Sequence, residues 1–312
     1  MSKVYCGYTD DVKSFAFALP LLLALSASAQ NQQPEFIRNA QPLLRAGDFA
    51  GALAIYETAL KAEPNNSAAL NAAGVALDHL GRTAEARKYF EKLLSLAAPG
   101  EAQTRPLRQI AMSHAFDNNC AGAVAAERRA YEIFVQLGNA YQQGEMLNEA
   151  ARVCIEAGDF STARSLYEEG TKAGLKETNI QPDRVALWNF RLAHARARLA
   201  AREGKPQEAW KHVAEAKTIL DSNAEMAKQQ AIFYPYLEGY VALYTGDLPR
   251  AIAQLKMANQ TDPFIQCLLG LAHEKSGQND EAMSYYRKAA TTSGHNPPAA
   301  YARWFTRQKL GE

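Results

Sequence analysis

Residues 270–290 read GLAHEKSGQNDEAMSYYRKAA and residues 74–94 read GVALDHLGRTAEARKYFEKLL. Superposed, Gly270, Gly277, Ala282 and Tyr286 fall on Gly74, Gly81, Ala86 and Phe90. A glycine followed five residues later by alanine is the spacing of one helix stopped by a left-handed residue, a short polar turn, and a second helix. The helix-ending residue recurs at Gly47, Gly81, Asn118, Gly158, Gly204, Gly246 and Gly277. Alanine follows each time, at Ala52, Ala86, Ala123, Ala163, Ala209, Ala251 and Ala282. Asn118 keeps the conformational requirement, because asparagine is the usual substitute for glycine at such a cap.

A second small residue precedes most of these caps by seven positions, at Gly74, Ala111, Ala151, Ala197, Gly239 and Gly270. The two small positions predict where the helices of a hairpin touch. Larger side chains at Tyr56, Phe90, Tyr167 and Tyr286 are expected to fill the gap toward the neighbouring hairpin. The series resembles the tetratricopeptide repeat family, whose unit of about 34 residues carries it. Unit one ends with Ala59 and Pro64, and the last unit has Ala289. Successive caps lie 34, 37, 40, 46, 42 and 31 residues apart. The middle units therefore have longer helices or connections, like the larger repeats of some signalling members of the family. The longest connection is expected in KAGLKETNIQPDR, before Val185.

The resemblance covers the chain from about Phe36 onward. It implies an all-α fold: a right-handed superhelical solenoid of antiparallel helix pairs, about seven units, stacked because each hairpin alone leaves an apolar face in water. A final helix, PPAAYARWFTRQKLGE, is expected to cap the open end with Tyr301, Trp304 and Phe305 inward.

Composition agrees. Of 312 residues, 47% are apolar and 21% charged, enough to build a core, and Val-Ile-Thr alternation is nearly absent, so no strands are expected. A net charge of +1 gives no global attraction for nucleic acid or anionic membranes.

The apolar run from Phe15 to Leu25, followed by Ala27-Ser28-Ala29, reads as a secretory signal peptide over residues 1–29, with the solenoid over 30–312. That places the chain in the periplasm or cell envelope. An uncleaved N-terminal anchor or a cytoplasmic location is the alternative. Asp10 and Asp11 offset Lys3 and Lys13, unlike the usual positive leader; a start at Val12 removes the conflict. The remaining cysteines, Cys120, Cys154 and Cys267, read either as three buried packing residues or as one pair plus one free thiol. Cys120 and Cys154 are the two placed to meet.

No phosphate loop, Cys-x-x-Cys, His-Glu-x-x-His or Gly-x-Ser-x-Gly occurs, and no metal, cofactor or catalytic role is assigned. His114, Asp117 and Cys120 are the best catalytic constellation, and the interhelix turn at Asp117 to Asn119 breaks their shared face.

The resemblance further implies that the first helices of successive units line a concave groove. In unit six the groove positions are Phe233, Tyr236, Tyr240, Leu243 and Tyr244, a stripe that reads as packing or as a binding surface. In unit five, Arg184, Arg191, Arg198 and Arg202 align along about 27 Å of helix. None has an acidic residue three or four places away on its own helix. Glu145 and Glu156 of unit four stand level with Arg191 and Arg202, whereas Arg152 stands level with Arg198, like charge facing like charge. The predicted partner-binding residues are Arg108, Asn148, Arg152, His194, Arg198, Tyr236 and Tyr240, suited to a carboxylate or an acidic polypeptide. The family's clamp for carboxyl-terminal peptides uses Lys and Asn where this chain has Ile37 and Gln41, which does not support that partner. The expected function is a non-catalytic scaffold holding a polypeptide in the groove. The alternative is a regulatory sensor for a small anionic ligand.

Overall fold

The computed structural model describes residues 33–311; the predicted signal peptide and its cleavage site lie outside them. Among the described residues the chain is helical without strands, in seven consecutive hairpins. These are α1 (Glu35–Arg45) with α2 (Phe49–Ala62), α3 (Ser67–His79) with α4 (Thr83–Leu96), α5 (Thr104–Phe116) with α6 (Cys120–Gln136), and α7 (Ala140–Ala157) with α8 (Phe160–Gly174). Then follow α9 (Pro182–Arg202) with α10 (Pro206–Ser222), the short α11 (Ala224–Gln230), α12 (Tyr234–Thr245) with α13 (Leu248–Met257), α14 (Pro263–Lys275) with α15 (Asn279–Ala290), and finally α16 (Pro297–Leu310). No described helix is long and apolar enough to cross a membrane.

All seven helix-ending residues have positive φ, including Asn118 at 53°. The chain then re-enters a helix within two residues, and at four of the seven turns the next polar side chain caps it. Asp48, Asn119, Asp159 and Asp247 accept hydrogen bonds from the amides of Gly51, Gly122, Thr162 and Arg250. Such a cap contributes about 1 kcal/mol. The seven alanines that follow are buried.

The aromatic residues correct one expectation. A Cβ on Gly74 would sit 2.5 Å from the Phe90 ring, and one on Gly270 2.3 Å from Tyr286. These rings therefore lie over the glycine of their own hairpin, where the missing side chain makes room, and not simply toward the next unit.

The middle units are stretched through their helices: α7 has 18 residues and α9 has 21. Residues 175–181 form the longest connection without helical residues, where it was expected. Cys120 and Cys154 form a disulfide between α6 and α7, with Cα atoms 4.6 Å apart, and Cys267 is a buried thiol.

The C-terminal helix does more than cap. Tyr301 and Phe305 pack on Phe264 and Tyr286 of the last hairpin, as expected. Its opposite side reaches α5 and α7, with Ala300 buried among Ala115, Phe116, Ala123 and Val153. The inner wall was expected to stand open. Here α16 covers it across units three and four, packed between the last hairpin on one side and α5 and α7 on the other.

Candidate functional site

The inner wall at its middle is built from α7, α9, α12 and α14. The arginine ridge of α9 is neutralised unevenly along its length. Arg184 stands 3.7 Å from Glu177 and lies over the Tyr141 ring at 4.3 Å. Arg191 pairs with Glu145 of α7. Arg202 pairs with Glu156 of α7 at 2.8 Å and donates to the Tyr240 hydroxyl at 3.1 Å, while that hydroxyl donates to the other Glu156 oxygen at 3.0 Å. These are the inter-unit ion pairs that the level Glu145 and Glu156 suggested.

Among the described residues Arg198 meets no carboxylate directly. Its guanidinium donates to the hydroxyls of Tyr167 at 2.8 Å and Tyr236 at 3.3 Å, and its Nε is buried without a partner. Burial opposes its charge, but the surrounding phenolic oxygens and the Glu156 carboxylate more than offset this and hold it protonated. His194 is neutral, pushed well below its usual value first by burial and then by Arg198 and Arg152. Burial pushes the Tyr236 hydroxyl up to about 12, so it stays protonated.

Arg152, half-buried on α7, faces the same cleft as Arg198, and among the described residues it makes no ion pair or side-chain hydrogen bond. The nearby Asp262 carboxylate is committed to the start of α14, where it accepts from the Phe264 amide at 2.9 Å. Pro297, Pro298 and Tyr301 of α16 form one side of the cleft, whose water-accessible space is about 20 Å³. That is room for about one water molecule.

Of the predicted residues, Arg152, His194, Arg198, Tyr236 and Tyr240 are thus brought together. Tyr240 is fully buried, and with Tyr236 and Tyr244 it forms a packed aromatic ladder against Phe264 and the arginines. Asn148 turns away: its Oδ1 is the atom a Cβ on Gly170 of α8 would meet, at 2.9 Å. Arg108 lies apart, bonded to Glu149 at 3.1 Å through Nε. Beside that pair, Glu127 is fully buried, and burial and the Glu149 charge push its carboxyl well above the usual range. Sequence reasoning named neither Glu127 nor Glu149, and it took Tyr167 for a packing residue alone.

The His114, Asp117 and Cys120 constellation does not assemble. Asp117 binds Thr83 at 2.8 Å and Arg87 at 2.8 Å, and Cys120 is held in the disulfide. Among the described residues no group of three or more His, Cys, Asp or Glu is placed to hold a metal ion.

The comparisons with known proteins agree with this fold. Residues 37–102 and residues 265–295 each match a model of the tetratricopeptide repeat. The stretched units lie between them. The fold is a tetratricopeptide-repeat solenoid, a type of structure typical of protein-protein interaction scaffolds and generally non-catalytic. No curated protein matches the sequence. Among solved structures, the chain is similar to a Rap protein complexed with competence and sporulation factor, at 16% identity over 86% of this chain and 78% of that one, TM-score 0.54. It is also similar to aspartyl phosphate phosphatase F from Bacillus subtilis, at 12% identity over 80% of this chain and 67% of that one, TM-score 0.53. At such identities the likeness is one of fold.

Proposed function

We infer that the chain is a non-catalytic scaffold that binds a polypeptide partner through a carboxylate-bearing segment at the inner wall of units four to six. The observation that carries this reading is Arg152. Among the described residues it makes no ion pair, and it stands at a cleft whose other cation, Arg198, is held by two tyrosine hydroxyls. An arginine so placed is suited to bidentate recognition of a carboxylate. Arg198 and Tyr236 would orient the bound group.

The test is Arg152→Glu alone, because a glutamate at the buried Arg198 would leave an unpaired charge and destabilise the fold. In a fluorescence-anisotropy titration with labelled peptides rich in Asp and Glu, the variant is expected to bind at least tenfold more weakly with unchanged helicity. Equal affinity sinks the assignment.

The second reading is a sensor for a small anion, carried by the two cations, Arg152 and Arg198, that face one cleft. Thermal stabilisation by acetate or phosphate that is lost in Arg152→Glu, without any peptide binding, selects it.

For location we propose export to the periplasm or cell envelope. The Cys120–Cys154 disulfide supports it, since such bonds persist in oxidising compartments. An intact mass of the native product that does not begin near Gln30 refutes it.

A further inference from the structure

Helix α16 is held between two surfaces. Ala302 is buried against Cys267 and Ala289 of the last hairpin, and Ala300 against the wall made by α5, α6 and α7. Capping the last hairpin requires only the first of these contacts. The second is built as a binding site is built, with apolar, aromatic and charged contacts converging on one short segment of chain.

The His295 ring stacks on Phe116 at 5.3 Å between centroids, and its Nε2 meets the buried Asp78 carboxylate of α3 at 2.7 Å. The Gly294 carbonyl lies 2.9 Å from the ring Nε2 of His79. Arg303 and Arg307 both donate to the His79 carbonyl, at 2.8 and 2.6 Å. That carbonyl ends α3, where helices carry unpaired acceptors and the negative end of the dipole. The receiving surface is therefore electronegative at one edge and apolar in the middle. The segment seated on it is basic at matching places and begins with Pro297 and Pro298, which pre-set a helix start.

We propose that the concave face of α3, α5 and α7 is a docking groove for a basic, proline-led helix, and that residues 294–310 fill it in cis as an exchangeable ligand. A partner with the same pattern, small residues facing the groove and arginines at its acidic edge, enters by displacing α16. Because Pro297, Pro298 and Tyr301 line the cleft together with Arg152 and Arg198, the same displacement widens the carboxylate site; that consequence alone rests on the function proposed above.

The test uses the full-length chain. Ala300→Glu drives a carboxylate into the apolar wall and expels the front face of α16. The probe is a fluorescein-labelled synthetic peptide of residues 294–310 with the native sequence. It is expected to bind the Ala300→Glu protein at least tenfold more tightly than the wild type, and the same peptide carrying Arg303→Glu and Arg307→Glu is expected to bind neither. A variant of unchanged helicity that gains no peptide binding overturns the proposal. Hydrogen exchange on the unmodified protein tests it without any substitution: amides of residues 300–308 are expected to exchange at least tenfold faster than those of α9. Equal protection, meaning release only with global unfolding, also overturns it. Failure of the Arg152 experiment leaves this groove standing, since the two probes carry opposite charge and the basic peptide is held by the Asp78 carboxylate and the His79 carbonyl, not by Arg152.

Discussion

His79 offers the sharpest quantitative test, because it is fully buried, aromatic on both sides and next to the cations that close the molecule. It stacks on Phe49 at 4.3 Å and meets Phe116 edge-on at 5.0 Å. Burial first, then His295 and Arg303, lower its pKa from 6.5 to about 3. The folded protein therefore holds it neutral at pH 5, while the unfolded chain takes up a proton below about 6.5. Stability from this group is present above the unfolded value and lost as pH falls. With unfolded and folded values of 6.5 and about 3, protonation of the unfolded chain at pH 5 lowers stability by RT ln(1 + 10^1.5), about 2 kcal/mol. His79→Phe removes this titration but leaves the Gly294 carbonyl without its donor, at about 1–3 kcal/mol. At pH 7.5 the variant should be less stable by that amount. By pH 5.0 the wild-type advantage should shrink by about 2 kcal/mol. Urea unfolding of both proteins at both pH values measures the double difference, in which all other titrating groups cancel. A wild-type advantage that is constant between the two pH values refutes the reasoning.

Glu127→Gln should stabilise the protein at pH 7.5, since the folded state holds this carboxyl protonated against its normal ionisation. The gain should fade as pH falls toward 4.5, the ordinary value of the unfolded chain, and denaturant titrations across that range read it. Gly270→Val should lower stability by about 1–3 kcal/mol, because its side chain would overlap the Tyr286 ring that fills the hairpin. An unchanged melting temperature would contradict the placement of that ring.

The hairpins were legible because their signals are local. A left-handed cap, a capping Asp or Asn and a buried alanine lie within six residues of each other, and Asn118 could be read as a cap because few other residues tolerate its backbone. The ion pairs of Arg191 and Arg202 were legible in outline, since repeat spacing sets which residues of adjacent first helices stand level. The stretched middle shifts the finer placement: Asn148, expected among the partner-binding residues with His194 and Tyr236, turns its side chain to α8 instead. Arg108 finds its acid at Glu149, 41 residues on. Closure of the inner wall could not be read at all. Asp78 and His295 meet across 217 residues, and nothing near either of them encodes the curvature that joins them.

The account turns on where α16 lies in solution. In a methyl-labelled sample, nuclear Overhauser contacts should connect the Ala300 methyl to the methyls of Ala115, Ala123 and Val153, which share its buried cluster. Contacts from α16 to Cys267 and Ala289 alone, with Ala300 silent toward units three and four, would mean that the inner wall stands open and that no segment of the chain occupies it.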